Sequence, residues 1–222
     1  MKLEGLKINF LGDSITYGVG TTSAEKIYHA ILKEETNLSL VRNYGIGGTR
    51  YAVQNPDSPI PENEYVDVNS FCERFDQMDN DADIVVVFGG TNDYGHGNAR
   101  MGVFSDRTPD TFYGACHYLY SGLIKKYLGK TIVIMTPLHR IGELEVPQIK
   151  CSTDYGVLKD YVDAIREVAE FYSLPVLDLY ATSGLQPEIK EIQNNFIPDG
   201  LHPNDNCHII IAQKLKSFLE VI

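Results

Sequence analysis

The chain has 222 residues, of which 43% are hydrophobic and 22% are charged, and its formal net charge is −11. A chain of this length and composition can bury a substantial core, which excludes an intrinsically disordered protein. Because phosphate binding needs clustered Lys and Arg, the acidic balance argues against nucleic acid and anionic membrane surfaces as partners.

Short runs rich in β-branched residues alternate along the chain with longer stretches of helical periodicity. The predicted strands are Leu6–Leu11, Leu38–Tyr44, Asp83–Phe88, Thr131–Met135 and Pro175–Leu179. The predicted helices are Ala24–Glu35, Thr111–Tyr127, Asp154–Tyr172 and Asp205–Ile222. This alternation is typical of βαβ units, so we expect an α/β fold with a mostly parallel five-stranded sheet. With no repeat or linker visible, residues 1–222 are expected to form one domain.

Polar and glycine-rich turns follow the predicted strands. In an open α/β sheet the functional site lies beyond the carboxyl ends of the strands, so these turns are the place to look for chemistry. In chain order they are Gly12-Asp13-Ser14, Asn43-Tyr44-Gly45, Gly90-Thr91-Asn92-Asp93 and Pro137-Leu138-His139-Arg140, and Asp199-Gly200-Leu201-His202 precedes the last helix.

These turns contain the groups that acyl transfer requires. A serine hydroxyl is a weak nucleophile at neutral pH and needs a general base close by. A histidine supplies such a base, and a carboxylate holds it in the required tautomer. Asp199 and His202 are three residues apart in a stretch whose Pro and Gly residues favour a tight turn. The sequence therefore predicts Ser14 as a nucleophile served by this pair.

A tetrahedral intermediate also needs hydrogen-bond donors for its oxyanion. Backbone N–H groups near Ser14 and Gly45 are candidates, since glycine permits close approach of the backbone. Asn92 can add a side-chain amide. We therefore expect these three residues to meet at one edge of the sheet.

In these motifs the chain resembles the SGNH hydrolases. They are the branch of the GDSL esterases and lipases that is named for four residues in four sequence blocks. The matching stretches are Gly12-Asp13-Ser14, the glycine Gly45, Gly90-Thr91-Asn92-Asp93 and Asp199-Gly200-Leu201-His202. Each match is a weak signal by itself, whereas the ordered set over almost the whole chain is specific. One departure is Ile15, which stands where many members have leucine.

The resemblance implies a flavodoxin-like three-layer α/β/α sandwich and hydrolysis of carboxylic esters without a metal or cofactor. It implies Ser14 as nucleophile, His202 as general base and Asp199 as the residue that orients His202. It implies an oxyanion hole from the N–H groups of Ser14 and Gly45 and the side chain of Asn92. Short acyl esters, including acetyl groups on sugars, are the substrate class it suggests.

Four further side chains near the strand ends are candidates for lining the substrate cleft. They are Tyr94, His96, His139 and Arg140. The segment Tyr51–Val68 is rich in Pro, Asn, Asp and Glu and is long for a loop, so we expect it to form one wall of the cleft. His29, His117 and His208 lie in predicted helices and are interpreted as packing or surface residues.

Several alternatives stay open at this point. An acyltransferase would use the same acyl-enzyme. A nucleotide- or flavin-binding module suits a doubly wound sheet, although neither Gly18-x-Gly20 nor Gly45-x-Gly47 completes the G-x-G-x-x-G motif. A non-catalytic interaction protein and an α/β-hydrolase are less favoured, the latter because Thr16 interrupts G-x-S-x-G.

The remaining features indicate a cytoplasmic protein. The first residues lack the length and cleavage site of a signal peptide, and no apolar run approaches a membrane span. The four cysteines are widely spaced, which favours reduced thiols over disulfides or a zinc site. The cluster Asp76, Asp79, Asp81 and Asp83 lacks the EF-hand pattern, so a solvated acidic surface is expected. The oligomeric state is not predictable.

Overall fold

The computed structural model describes residues 1–55, 70–147 and 154–222. The strands of these parts are β1 (Lys7–Gly12), β2 (Leu40–Gly45), β3 (Ile84–Phe88), β4 (Thr131–Met135) and β5 (Val176–Leu177). All neighbouring strands pair in parallel, in the order β2-β1-β3-β4-β5. This is the strand order of flavodoxin-like folds, and the predicted parallel five-stranded sheet is confirmed.

Helices connect the strands and cover both faces of the sheet. The α-helices of the described parts are α1 (Ser14–Tyr17), α2 (Tyr28–Thr36), α3 (Phe71–Arg74), α4 (Thr91–Gly95), α5 (Phe112–Lys126), α6 (Leu158–Phe171), α7 (Leu179–Thr182), α8 (Lys190–Phe196) and α9 (Asp205–Val221). Short 3-10 helices span Ala24–Lys26 and Phe75–Gln77. The long predicted helices correspond to α5, α6 and α9. The short helices α1, α3, α4, α7 and α8 were not predicted.

Two predicted elements differ from the structure in an informative way. The predicted helix Ala24–Glu35 is divided at Ile27, whose extended backbone (φ −72°, ψ 138°) separates a 3-10 turn from α2. The predicted fifth strand ends at Leu177, because Asp178 turns the chain into α7 by accepting the Ala181 N–H at 3.1 Å. In the first place extended backbone interrupts the helix, and in the second a side-chain cap ends the strand.

The core lies in two layers, one on each face of the sheet. Along β3, Val85 and Val87 point to the layer formed with α5 and α6, while Ile84, Val86 and Phe88 point to the layer formed with α2 and α9. Such a strand is buried on both sides, which is why its sequence is uninterrupted Ile-Val-Val-Val-Phe. The arrangement is the three-layer α/β/α sandwich that the motifs imply.

Some of the cysteines and loop residues named in the sequence analysis lie within the described parts of the chain, and others lie outside them. Cys72, Cys116 and Cys207 are buried free thiols, whereas Cys151 lies outside the described residues. Residues 56–68 of the expected cleft wall also lie outside them. None of the helices in the described parts of the chain is long and apolar enough to cross a membrane.

Two buried histidines in the second layer lead to a stability prediction. His208 lies on α9, where its Nδ1 accepts the Tyr28 N–H at 3.2 Å, and His29 lies on α2 with its Nε2 3.2 Å from the Thr16 carbonyl oxygen. Burial disfavours the charged imidazolium and lowers the pKa of each from the ordinary 6.5 to about 4. Between these two values the unfolded chain binds protons that the folded chain does not.

The contribution of these two histidines to the free energy of unfolding should therefore be greatest above pH 6.5 and should fall as the pH drops toward 4. In His208→Asn, Oδ1 can still accept the Tyr28 N–H but the side chain at position 208 no longer titrates. We expect its urea-derived free energy of unfolding to vary less steeply across this range, by up to about 1.4 kcal/mol per pH unit. Parallel curves for wild type and variant would contradict the prediction.

Candidate active site

Ser14 lies at the point where β1 passes into α1. Asp13 caps the helix by accepting the Ile15 N–H at 2.9 Å, and Ser14 is the first helical residue. The first N–H groups of a helix have no acceptor within the helix and carry partial positive charge. The Ser14 hydroxyl therefore lies at a place that favours developing negative charge.

Asp199 and His202 are joined by one tight turn. One carboxylate oxygen of Asp199 accepts the N–H groups of Leu201 at 2.8 Å and His202 at 2.7 Å, and the other lies 2.7 Å from His202 Nδ1. Gly200 makes the turn possible because it adopts φ +81°, where a side chain would be strained. The carboxylate can only accept, so Nδ1 carries the proton and Nε2 is left as an acceptor.

His202 Nε2 lies 3.1 Å from Ser14 Oγ, which completes a chain from serine to histidine to carboxylate. Contacts between the loop after α1 and the start of α9 hold Ser14 close to the turn that carries Asp199 and His202. A side chain at Gly20 would meet the Pro203 carbonyl oxygen at 2.4 Å, so the backbones pack directly. Thr22 donates its N–H and its hydroxyl to Asp205 at 2.9 and 2.6 Å. This geometry allows a proton to pass from the hydroxyl to the imidazole.

The electrostatics of Asp199 suit this arrangement. Partial burial alone would raise its pKa, but the hydrogen bonds from the His202 N–H, the His202 ring and the Leu201 N–H together hold it below its ordinary value. The carboxylate thus stays charged beside the imidazole. A charged acceptor stabilises the imidazolium that forms when His202 takes up a proton.

Gly45 ends β2 directly opposite Gly12, the last residue of β1. A side chain there would meet the Tyr17 amide nitrogen at 2.3 Å, so only glycine lets β2 approach α1 this closely. The Gly45 N–H donates to Asn43 Oδ1 at 2.8 Å. The structure therefore brings this predicted donor to the site but shows it engaged with a neighbouring side chain.

Asn92 lies in α4, immediately after β3, and is buried. Its side-chain nitrogen donates to the Thr49 carbonyl oxygen at 3.0 Å, which leaves a second amide hydrogen. Its side-chain oxygen lies 3.1 Å from His96 Nε2. Both ends of the amide are thus tied to neighbouring turns.

Arg74 is a buried cation beneath these turns that sequence reasoning missed. Its guanidinium donates to the carbonyl oxygens of Gly12 at 2.6 Å and Tyr44 at 2.5 Å, and to Thr49 Oγ1 at 3.1 Å. The side chain is 6% exposed, and burial lowers its pKa to about 10. One side chain therefore joins the ends of β1 and β2 to the turn that holds Asn92. The sequence signal is weak, since Arg74 follows Glu73 between two phenylalanines as it would on an amphipathic surface helix.

Asp13 is the buried acid next to the nucleophile. Desolvation raises its pKa to about 7, with a further increase from Asp93, although the Ile15 N–H and Arg74 oppose the shift. Asp93 accepts the N–H groups of Tyr51 and Ala52 at 2.9 and 3.1 Å. The layer below the site is therefore a network of buried charge and backbone hydrogen bonds.

The four predicted cleft-lining residues have different surroundings. Tyr94 is 3% exposed and donates its hydroxyl to the Gly142 carbonyl oxygen at 2.6 Å, so it packs in the interior. Arg140 lies over the Tyr94 ring and donates to Thr91 Oγ1 at 3.1 Å. Both hold the loop after β4 against the turn after β3.

The other two are histidines engaged with polar partners. His139 Nδ1 lies 2.6 Å from Glu143 Oε1, and its ring packs against Tyr180. His96 bridges Asn92 and Arg50, with Arg50 Nη2 2.6 Å from His96 Nδ1. His96 is therefore directly connected to the predicted site, whereas His139 belongs to a neighbouring cluster.

Three of the four acids in the cluster near the sheet's opposite edge are ion-paired. Asp81 contacts Lys7 and Arg42, Asp79 contacts Arg42, and Asp83 contacts Lys130. Within residues 1–55, 70–147 and 154–222, no three His, Cys, Asp or Glu side chains are grouped so that they could hold a metal ion.

Comparisons with known proteins identify the family and the fold. The model of the GDSL-like Lipase/Acylhydrolase family matches residues 10–208. None of the curated proteins compared with the chain matches it. One solved structure is 31% identical with a TM-score of 0.83, covering 100% of this chain and 99% of that one.

Two further structures extend the likeness. A protein from Lactobacillus plantarum is 29% identical with a TM-score of 0.81, and the match covers 98% of both chains. The acetyl xylan esterase AlAXEase is 22% identical with a TM-score of 0.62, covering 98% of this chain and 100% of that one. At 22% identity, the likeness to the acetyl xylan esterase shows a shared fold.

Proposed function

Because the chain belongs to the GDSL-like lipase/acylhydrolase family, we propose that it is a serine esterase that cleaves short acyl esters. The observation that carries the proposal is the chain of contacts from Ser14 Oγ to His202 Nε2 at 3.1 Å and from His202 Nδ1 to Asp199 at 2.7 Å. In this mechanism Ser14 is the nucleophile, His202 the general base and Asp199 the residue that orients it.

The first half-reaction forms an acyl-enzyme. Ser14 Oγ attacks the ester carbonyl carbon while its proton passes to His202 Nε2. The tetrahedral intermediate collapses, and the departing alkoxide takes that proton and leaves as the alcohol. In the second half-reaction water attacks the acyl carbon while His202 Nε2 accepts a proton from it. The intermediate then collapses, His202 returns that proton to Ser14 Oγ, and the carboxylic acid is released.

The oxyanion receives hydrogen bonds from the Ser14 N–H and from the Asn92 amide hydrogen that is not bound to Thr49. The Gly45 N–H contributes once its bond to Asn43 Oδ1 is released. The Ser14 N–H and the free Asn92 amide hydrogen are fixed by the backbone and by the bond to Thr49, and donors held in this way stabilise charge that develops only in the transition state.

Acetyl esters, including acetylated sugars, are the substrates we propose. The support is the fold shared with the acetyl xylan esterase over nearly the whole of both chains. Ser14, Gly45 and Asn92 lie at or just after the ends of β1, β2 and β3, at one edge of the sheet, with Ser14 buried and His202 half-buried.

The test is a panel of p-nitrophenyl esters of increasing acyl length together with acetylated xylan and mannan fragments, assayed with wild type and with a Ser14→Ala variant. We expect ester hydrolysis that depends on Ser14 and survives EDTA, with a rate that declines as the acyl chain lengthens. A protein that releases no acid from any of these esters would overturn the proposal. Loss of turnover on chelation, with recovery on adding metal, would overturn its mechanism.

A further inference from the structure

We infer that His96 is a positioning residue for Asn92, and that Arg50 selects the tautomer in which it does so. The inference rests on the proposed function, in which the Asn92 side chain donates to the oxyanion. Its basis is a continuous run of hydrogen-bonding contacts from Arg50 through His96 to Asn92 and on to the Thr49 carbonyl oxygen.

The tautomer follows from the partners of the imidazole. Arg50 Nη2 lies 2.6 Å from His96 Nδ1, and a guanidinium can only donate. Nδ1 must therefore be the acceptor, which leaves the ring proton of a neutral imidazole on Nε2. That nitrogen lies 3.1 Å from Asn92 Oδ1, so it donates to the amide oxygen.

The same logic determines the orientation of the amide. With Oδ1 toward His96, the Asn92 nitrogen faces the Thr49 carbonyl oxygen and donates to it at 3.0 Å. A flipped amide would place two acceptors together at Thr49 and two donors together at His96. His96 and the Thr49 carbonyl oxygen together select the orientation in which one amide hydrogen of Asn92 remains for the oxyanion.

Three variants of His96 test this role. We expect His96→Ala to lower kcat for p-nitrophenyl acetate by about 10- to 100-fold with KM nearly unchanged, because the interaction lost is one made in the transition state. His96→Gln should restore most of the loss, since its amide nitrogen can replace Nε2. His96→Asn, whose shorter side chain reaches only the Nδ1 position, should not. Equal rates for the Gln and Asn variants, or a change confined to KM, would overturn the inference.

Coupling between the two residues provides a second measurement. If His96 acts through Asn92, His96→Ala should cost little further in an Asn92→Ala background. Fold-changes that simply multiply in the double variant would show that the two residues act independently and would overturn the inference.

A spectroscopic test separates this inference from the proposed function. Nitrogen-15 spectra of the imidazole in the intact protein should show His96 protonated at Nε2 and accepting at Nδ1. A His96 protonated at Nδ1 would overturn the inference whatever the activity. If wild type shows no Ser14-dependent turnover, the proposed function fails, and the tautomer alone then decides whether His96 orients Asn92.

Discussion

Replacing Ser14 with alanine is expected to lower kcat/KM for p-nitrophenyl acetate by about 10⁴- to 10⁶-fold while leaving the fold intact. The variant keeps the backbone N–H groups and the Asn92 amide but removes the atom that forms the acyl-enzyme. Removing this hydroxyl breaks a single partly buried contact, to His202 Nε2. The free energy of unfolding should therefore change by less than about 1 kcal/mol.

A matched control lies at the opposite edge of the sheet. Ser39 precedes β2, is exposed, and donates its hydroxyl to the Leu6 carbonyl oxygen at 3.1 Å. Ser39→Ala removes the same atom at a similar cost in hydrogen bonding, and we expect it to retain full activity. A Ser14→Ala protein that turns over within tenfold of wild type would exclude Ser14 as the nucleophile.

Replacing Arg74 with methionine is expected to destabilise the protein by about 3–5 kcal/mol, the range for removing one member of a buried charged cluster. Methionine fills much of the space but donates nothing. The carbonyl oxygens of Gly12 and Tyr44 then lose their donor, and Asp13 loses a nearby positive charge. Urea unfolding followed by circular dichroism measures the change.

Arg42→Met is the control for loss of an arginine on the same sheet. Arg42 pairs with Asp79 and Asp81, whose side chains are largely exposed, and such pairs are worth about 0.2–1 kcal/mol. We expect the Arg74 variant to lose several times more stability than the Arg42 variant, and to lose activity as well because the turns beside Ser14 shift. Equal losses of stability would show that the buried guanidinium does not hold these turns together.

The parallel sheet was predictable because its central signal is local. β3 and β4 are runs rich in β-branched residues, and β3 is apolar on both sides of its pleat because both faces are covered. The helices α1, α3, α4, α7 and α8 have four to seven residues each, too few for a periodic pattern to appear. Caps and tertiary contacts hold such turns in place, so their sequences carry no helical periodicity by which they could be predicted.

The site was predictable to the level of its motifs but not of its contacts. The stretches around Ser14, Asn92 and Asp199 were identifiable as turns at one edge of the sheet. Which way a side chain points from that edge depends on packing, and Tyr94, expected in the cleft, is buried and donates its hydroxyl to the Gly142 carbonyl oxygen of the loop after β4. Arg74 was invisible because arginine is ordinarily a surface residue, and its burial is decided only when α3 packs under the strand ends.

The tight turn that joins Asp199 to His202 affects how the candidate site loses its geometry when the protein partly unfolds. The 2.7 Å contact between acid and base is set by four consecutive residues, whereas the 3.1 Å contact between base and nucleophile joins residues 188 positions apart. Folded proteins open locally in contiguous units, so a turn of four consecutive residues can undock as one piece. We therefore expect mild denaturant to part the nucleophile from an acid–base pair that is still assembled, and its removal to restore activity by re-docking that turn.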